Sequence, residues 1–169
     1  MCGRRCPMII GLSIENFTIL HVAISLIAIV SGLIVLVGML RAQRLPGWTA
    51  LFLVTTILTS VTGFMFPISG LTPAIVFGLI SIMILAIALT ALYLRRLAGA
   101  WRWIYVTTAL IALYLNVFVL IVQSFQKVPA LQKLAPTQSE LPFQIVQGVV
   151  LAAFLILGIM AARRFRPAV

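Results

Sequence analysis

Five stretches of this chain contain no Lys, Arg, Asp or Glu, and each is long enough to cross a lipid bilayer as a helix. They cover residues 16–40, 48–66, 74–94, 103–125 and 143–162. A helix rises about 1.5 Å per residue, so about 20 residues cross a hydrocarbon core of about 30 Å. Inside lipid the backbone has to satisfy its own hydrogen bonds, and an uninterrupted helix does so. The sequence therefore predicts an all-α, polytopic transmembrane bundle of five helices.

Composition supports a membrane protein and excludes a nucleic-acid-binding one. Of the 169 residues, 63% are hydrophobic and 8% are charged, whereas a soluble domain carries about 25% charged residues. The net charge of +10 would suit nucleic acid, but the basic residues lie at the ends of the apolar stretches and accompany no nucleic-acid motif. The expected surroundings are the lipid bilayer, and nucleic acid is not expected as a partner.

The basic residues are divided unequally between the two ends of the predicted bundle. Eight arginines fall at one end: Arg41, Arg44, Arg95, Arg96, Arg102, Arg163, Arg164 and Arg166. The other end has Arg4, Arg5, Lys127 and Lys133, together with both acidic residues, Glu15 and Glu140. Because positive residues favour the cytoplasmic side, this bias predicts an N-out, C-in orientation.

The chain divides into an N-terminal tail (1–15), one five-helix transmembrane domain (16–162) and a basic cytoplasmic tail (163–169). The first apolar stretch exceeds the 7–15 residues of a signal peptide, and no A-x-A-like site follows it, so we expect it to remain as an anchor. "MCGRRCP" precedes Met8, which is an alternative start site. Cys2 and Cys6 are too few for a structural zinc site, and no metal site is predicted.

Arginine and tryptophan residues cluster at the ends of the apolar stretches on the Arg-rich side. Arginine side chains there extend towards lipid headgroups, and Trp prefers the membrane interface. Ten residues are accordingly predicted to anchor the bundle at the interface and to face anionic headgroups: Arg41, Arg44, Trp48, Arg95, Arg96, Trp101, Arg102, Trp103, Arg163 and Arg164. A specific anionic-lipid or partner site is the alternative, but interfacial anchoring already requires these residues.

The longest connection runs from Gln126 to Pro142 on the opposite side. Between its prolines, "ALQKLA" predicts about one helical turn with apolar and polar faces. The following "TQSE" fits a capping box, in which Thr137 starts a helix and Glu140 reaches back to it.

Four polar or ionisable side chains inside the spans form a candidate pocket. In the fourth stretch Tyr105, Asn116 and Gln123 fall within about 20° of one line on a helix, and His21 of the first stretch lies at the depth of Gln123. Helix packing accounts for all of them, since amides and hydroxyls form hydrogen bonds between transmembrane helices. The alternative is a pocket between helices 1 and 4 that holds a quinone carbonyl or a small polar solute.

The sequence offers little for catalysis. The spans contain no carboxylate, and no Ser/His/Asp set, zinc-protease motif or phosphate-binding loop occurs. A membrane haem usually needs paired axial ligands, and His21 is the only histidine. We therefore expect neither an enzyme nor a bound cofactor.

Three segments carry a resemblance: "GWTALFLVTTILTSVTGFMFP" (47–67), "LAGAWRWIYV" (97–106) and "ALYLNVFVLIVQSFQKVPALQKLAPTQSE" (112–140). With them the chain resembles a group of small bacterial integral membrane proteins that have no assigned activity. The resemblance spans most of the chain after Met8. It implies a location in the bacterial cytoplasmic (inner) membrane and transfers no catalytic residue.

These observations lead to one expected function and two alternatives. The first is a structural or accessory membrane component that associates with itself or with a larger membrane complex. The second is a small-molecule binding or transport protein that uses His21, Tyr105, Asn116 and Gln123. The third is a redox subunit that binds quinone or haem.

Overall fold

The computed structural model describes residues 8–9, 11–67 and 73–166, and most of these are helical. The long helices are α1 (Ile14–Leu40), α2 (Pro46–Phe64), α3 (Pro73–Leu89), α4 (Trp101–Lys127) and α6 (Leu141–Arg164), and α5 (Pro129–Leu134) is short. A π-helical segment, Thr90–Leu94, continues α3. When this segment is counted as part of α3, the ends of the five long helices lie within two residues of the predicted ends. The all-α bundle with five candidate spans is confirmed.

Local chemistry explains where the first helices begin. The Ser13 side chain accepts a hydrogen bond from the Asn16 N–H (3.3 Å) and caps α1, which satisfies one of its free amide groups. Pro46 is at the start of α2, where a missing N–H costs nothing. Ahead of α1, β1 (Met8–Ile9) pairs antiparallel with β2 (Leu12–Ser13), inside the segment predicted as a tail.

The five long helices run alternately up and down, so the connections 41–45 and 95–100 share one end with residues 165–166. We call this end the Arg-rich end. The most extensive helix contact is between α1 and α2, and α4 packs against α1, α3 and α6. The main cluster of buried apolar side chains lies in the half of the bundle near the Arg-rich end. That half is therefore the more tightly packed one.

The outward surfaces of the helices are apolar. Many large side chains on them are exposed, including Ile19, Val30, Val54, Leu79 and Ile145. Five helices are long and apolar enough to cross a membrane, and lipid is the medium in which such surfaces are stable. The chain is a multi-pass membrane protein.

A glycine allows three helices to approach closely in the middle of the bundle. A Cβ on Gly32 of α1 would lie 2.5 Å from Leu113 Cδ1 of α4 and 2.9 Å from two ring atoms of Phe52 of α2. Both neighbours are buried. Glycine is therefore the residue that lets α1 lie against both helices at this level.

The predicted turn in the connection between α4 and α6 is present as α5, but the predicted capping box is wrong in one half. The Glu140 carboxylate accepts from the Thr137 N–H (3.0 Å), as expected. However, the Thr137 hydroxyl donates to that carboxylate (2.8 Å) instead of capping a helix, because α6 begins at Leu141 with Glu140 as its N-cap residue. Pro142 occupies the first turn and lets the helix start there.

The same contacts set the protonation of Glu140. Desolvation alone would raise the pKa of this carboxyl, but the hydrogen bonds from Thr137 and from the Ser139 and Glu140 backbone together lower it below its ordinary value. The carboxylate form therefore holds this turn together at neutral pH.

Candidate functional site

Threonine hydroxyls on α2 organise the polar contacts between the helices. Thr55, Thr56, Thr59 and Thr62 each donate a hydrogen bond to the carbonyl oxygen one turn earlier, at 2.6 to 2.9 Å. Each hydroxyl has a single proton, which is used in this bond, while its oxygen can still accept. The α2 surface therefore presents hydrogen-bond acceptors to the neighbouring helices.

His21 of α1 uses one of these acceptors. Its Nδ1 lies 2.7 Å from Thr62 Oγ1, and since the Thr62 proton is donated to the Leu58 carbonyl, Nδ1–H is the donor that satisfies both groups. The ring meets Phe66 edge to face at 5.4 Å between centroids, and Gly63 lies beside it. This contact joins α1 to α2, whereas the predicted pocket lies between α1 and α4.

Asn116 of α4 uses a second acceptor in the same way. Its Nδ2 donates to Thr56 Oγ1 at 3.2 Å, and Thr56 in turn donates to the Phe52 carbonyl at 2.7 Å. The amide is thus joined through a hydroxyl to the backbone of α2. The sequence does not single out Thr56 as this partner, because its only signal is its position among the other threonines of α2.

A third contact between helices involves Gln147 of α6. Its Nε2 donates to the Phe118 carbonyl of α4 at 3.3 Å, while its buried Oε1 has no partner among the described residues. The buried Oγ of Ser81 on α3 is in the same situation. These two are the fully enclosed side-chain polar atoms that have no hydrogen-bond partner in the described ranges.

The other two candidate residues lie far from each other. Tyr105 is 2% exposed and lies near the Arg-rich end, whereas Gln123 is exposed near the opposite end of α4. Eighteen residues of one helix separate them, or about 27 Å, so no small ligand touches both. His21, Asn116 and Tyr105 likewise contact different residues, and no hydrogen bond within the described residues links any two of the four.

The predicted interfacial residues lie at the Arg-rich end, and two pairs of them touch. The guanidinium of Arg95 lies 5.0 Å from the Trp101 ring centroid, and that of Arg102 lies 5.4 Å from the Trp103 ring, both within the range of cation–π attraction. Eight of the ten are exposed, while Trp101 and Arg102 are partly buried. Interfacial anchoring remains a prediction that these positions suit.

A cavity of about 230 Å³ opens inside the bundle at this end. Its walls come from α1, the turn after it, the first residues of α2, the π-helical segment, the connection 95–100, α4 and the residue that follows α6. The lining is Val35, Met39, Gln43, Arg44, Leu45, Pro46, Thr49, Leu92, Tyr93, Leu97, Tyr105 and Phe165. This space contains only one of the four candidate residues, Tyr105.

Potential metal ligands are few and scattered in the described part of the chain. Within the described part of the chain, no three His, Cys, Asp or Glu side chains come together as metal ligands. Cys2 and Cys6 lie outside the described residues. The polar side chains of the spans that bond between helices are His21, Asn116 and Gln147.

The chain matches no family model, and no curated protein or solved structure is detectably similar to it. The resemblance to small bacterial membrane proteins therefore stays a prediction.

Proposed function

We propose that the protein is a structural or accessory component of a bacterial cytoplasmic membrane and that it acts by binding another transmembrane helix. The distribution of arginines and the resemblance to small bacterial membrane proteins support this location. The partner is a second copy of the chain or a subunit of a larger membrane complex. Catalysis and a resident cofactor have no part in this proposal.

The observation that carries the proposal is the sparse packing of α6. Of its 24 residues, only Gln147, Ala161 and Ala162 are buried. It contacts α4 and α1, but it contributes only Ala161 and Ala162 to the main buried cluster, and most of its residues are exposed. A helix that contributes so little to its own bundle has a large surface left for a neighbouring helix.

The free surface of α6 also has the composition that favours association in lipid. Gly148 and Ala152 are four residues apart, both are exposed, and a Cβ on Gly148 would meet nothing within 4 Å. Residues four apart share one helix face. In lipid no hydrophobic effect drives apolar helices together. Helices associate instead where small residues let their backbones approach closely.

The polar side chains support the same function because they bond to neighbouring helices and do not form a shared site. His21, Asn116 and Gln147 each bind a group on a neighbouring helix of the same chain. Such bonds hold helices together, each contributing about 0.6–2 kcal/mol. These side chains are therefore used in helix packing and are not arranged around a substrate.

Native mass spectrometry of the full chain released from lipid discs tests the proposal. We expect a mass that includes a second copy or another protein, and Gly148→Ile should reduce that species at least severalfold. Ala153→Ile is the matched control, because Ala153 is exposed on the same helix but lies about 140° from Gly148 around the helix axis. A wild-type chain that appears only as a monomer contradicts the proposal, as does an equal loss in both variants. A Soret absorption band would instead favour the redox alternative.

A further inference from the structure

The cavity at the Arg-rich end has polar groups that helix packing does not use. Thr49 is buried at its wall, yet it differs from the other four threonines of the α2 surface. Those four donate to the carbonyl one turn earlier, whereas the described structure records no such bond from the Thr49 hydroxyl. Thr49 and Tyr105 both line the cavity. Two residues that carry hydroxyl groups therefore border the same space.

The charge around the cavity is positive. Arg44 lines it and is exposed at its mouth. The two acidic side chains of the chain, Glu15 and Glu140, belong to the opposite end of the bundle. A guanidinium beside hydroxyl donors, and remote from carboxylate side chains, favours an anion with oxygen atoms.

Most of the remaining wall is apolar. Val35, Met39, Leu92, Leu97 and Phe165 surround the polar groups. A ligand therefore needs an uncharged, apolar part next to its anionic group. The volume of about 230 Å³ is just below the range of about 300–1,000 Å³ for drug-sized ligands, so the enclosed part of the ligand is small.

The π-helical segment helps to form this space. The Arg95 N–H donates to the Thr90 carbonyl at 2.9 Å, five residues earlier, and this wider turn ends α3 at the cavity wall. Leu92 and Tyr93 of the segment line the cavity. Such turns are rare and occur often at functional sites, so the distortion is an observation independent of the charge.

From these features we infer that the cavity binds an amphipathic oxyanion, a phosphate or carboxylate joined to a short apolar group. Arg44 binds the anion at the mouth, and the Thr49 and Tyr105 hydroxyls donate from inside. The oxyanion belongs either to an anionic membrane lipid or to a small soluble molecule. An apolar groove of about 410 Å³ beside α1 shares Gln43 and Leu45 with the cavity wall, which favours the lipid.

Binding to the full chain is measured by native mass spectrometry from a zwitterionic detergent, with three probes. Phosphatidylglycerol supplies the anionic lipid, phosphatidylcholine the zwitterionic one and glycerol phosphate the soluble anion. We expect one saturable phosphatidylglycerol site that binds at least about tenfold more tightly than phosphatidylcholine does. Arg44→Gln should weaken it about tenfold or more and Tyr105→Phe about threefold to tenfold, as expected for a charged and a neutral hydrogen bond.

Arg163→Gln is the matched control, because Arg163 is exposed at the same end but does not line the cavity. This variant measures the general attraction of one arginine for anionic lipid, and its loss should weaken binding about fivefold. Saturable binding of glycerol phosphate with the affinity of the lipid assigns the site to a soluble anion. Equal losses in Arg44→Gln and Arg163→Gln, no effect of Tyr105→Phe, or no saturable binding of either anion overturns the inference.

Discussion

Replacement of Gly32 by alanine tests whether close packing of three helices holds the bundle together. The added methyl group would lie 2.5 Å from Leu113 Cδ1 and 2.9 Å from two Phe52 ring atoms. Leu113 and Phe52 are only 2% and 1% exposed, so neither can rotate away without displacing other buried side chains. Overpacking of this kind costs about 1–3 kcal/mol, which lowers the ratio of folded to unfolded chain by a factor of about 5 to about 150.

A comparison of Gly32→Ala with the wild type also contains the intrinsic preference of helices for alanine over glycine. Alanine is favoured over glycine inside a helix by about 1 kcal/mol, so Gly32→Ala alone mixes two opposing effects. Gly158→Ala provides the reference, because its added methyl group meets only Leu110 Cδ2 at an ordinary 3.7 Å. Gly32→Ala should be less stable than Gly158→Ala by about 1–3 kcal/mol.

The assay is equilibrium unfolding of the purified chain in mixed micelles, with SDS as the denaturant and circular dichroism as the readout. The free energy of unfolding is compared for the wild type and the two variants under the same conditions. Equal stability of Gly32→Ala and Gly158→Ala would refute the reasoning. The helices would then have room to move apart, and the close approach at Gly32 would contribute nothing.

Three further predictions concern single contacts and the orientation. In a double-mutant cycle, Asn116→Leu and Thr56→Val should show a coupling of about 0.6 kcal/mol; additive effects in SDS unfolding would exclude their hydrogen bond. The pKa of Glu140 is lowered in the fold, so its stabilising effect is complete above the ordinary pKa and disappears as pH falls through the lowered value. Hydrogen exchange of the Thr137 amide should therefore accelerate with acid relative to intrinsic rates in the wild type but not in Glu140→Gln. Finally, Gln132→Cys, in a chain without its own cysteines, should react with an impermeant maleimide from outside intact cells, and labelling only after lysis would reverse the orientation.

The helices could be predicted from the sequence because their limits depend on local chemistry. Charges and prolines mark where each apolar stretch leaves the membrane, as at Arg41 after α1 and Pro46 before α2. The requirement for internal backbone hydrogen bonds then leaves the helix as the expected structure. Even the short turn of α5 follows from the two prolines that enclose it.

The polar contacts could not be predicted in the same way. The sequence places Asn116 and Gln123 on one stripe of α4, but only the rotation of neighbouring helices decides which residue finds a partner. Asn116 meets Thr56 across the α2–α4 contact, whereas Gln123 remains exposed. The cavity could not be predicted for a similar reason, because its lining comes from seven separate parts of the chain.

The threonine-rich surface of α2 has a consequence for how the protein enters the membrane. This helix has the lowest mean hydropathy of the five spans. We therefore expect it to insert into lipid inefficiently when it leaves the translocon alone. Its most extensive contact is with α1, which precedes it in synthesis. The two segments should therefore partition into the bilayer as a hairpin, and a nascent chain that lacks α1 should leave α2 exposed to the aqueous side.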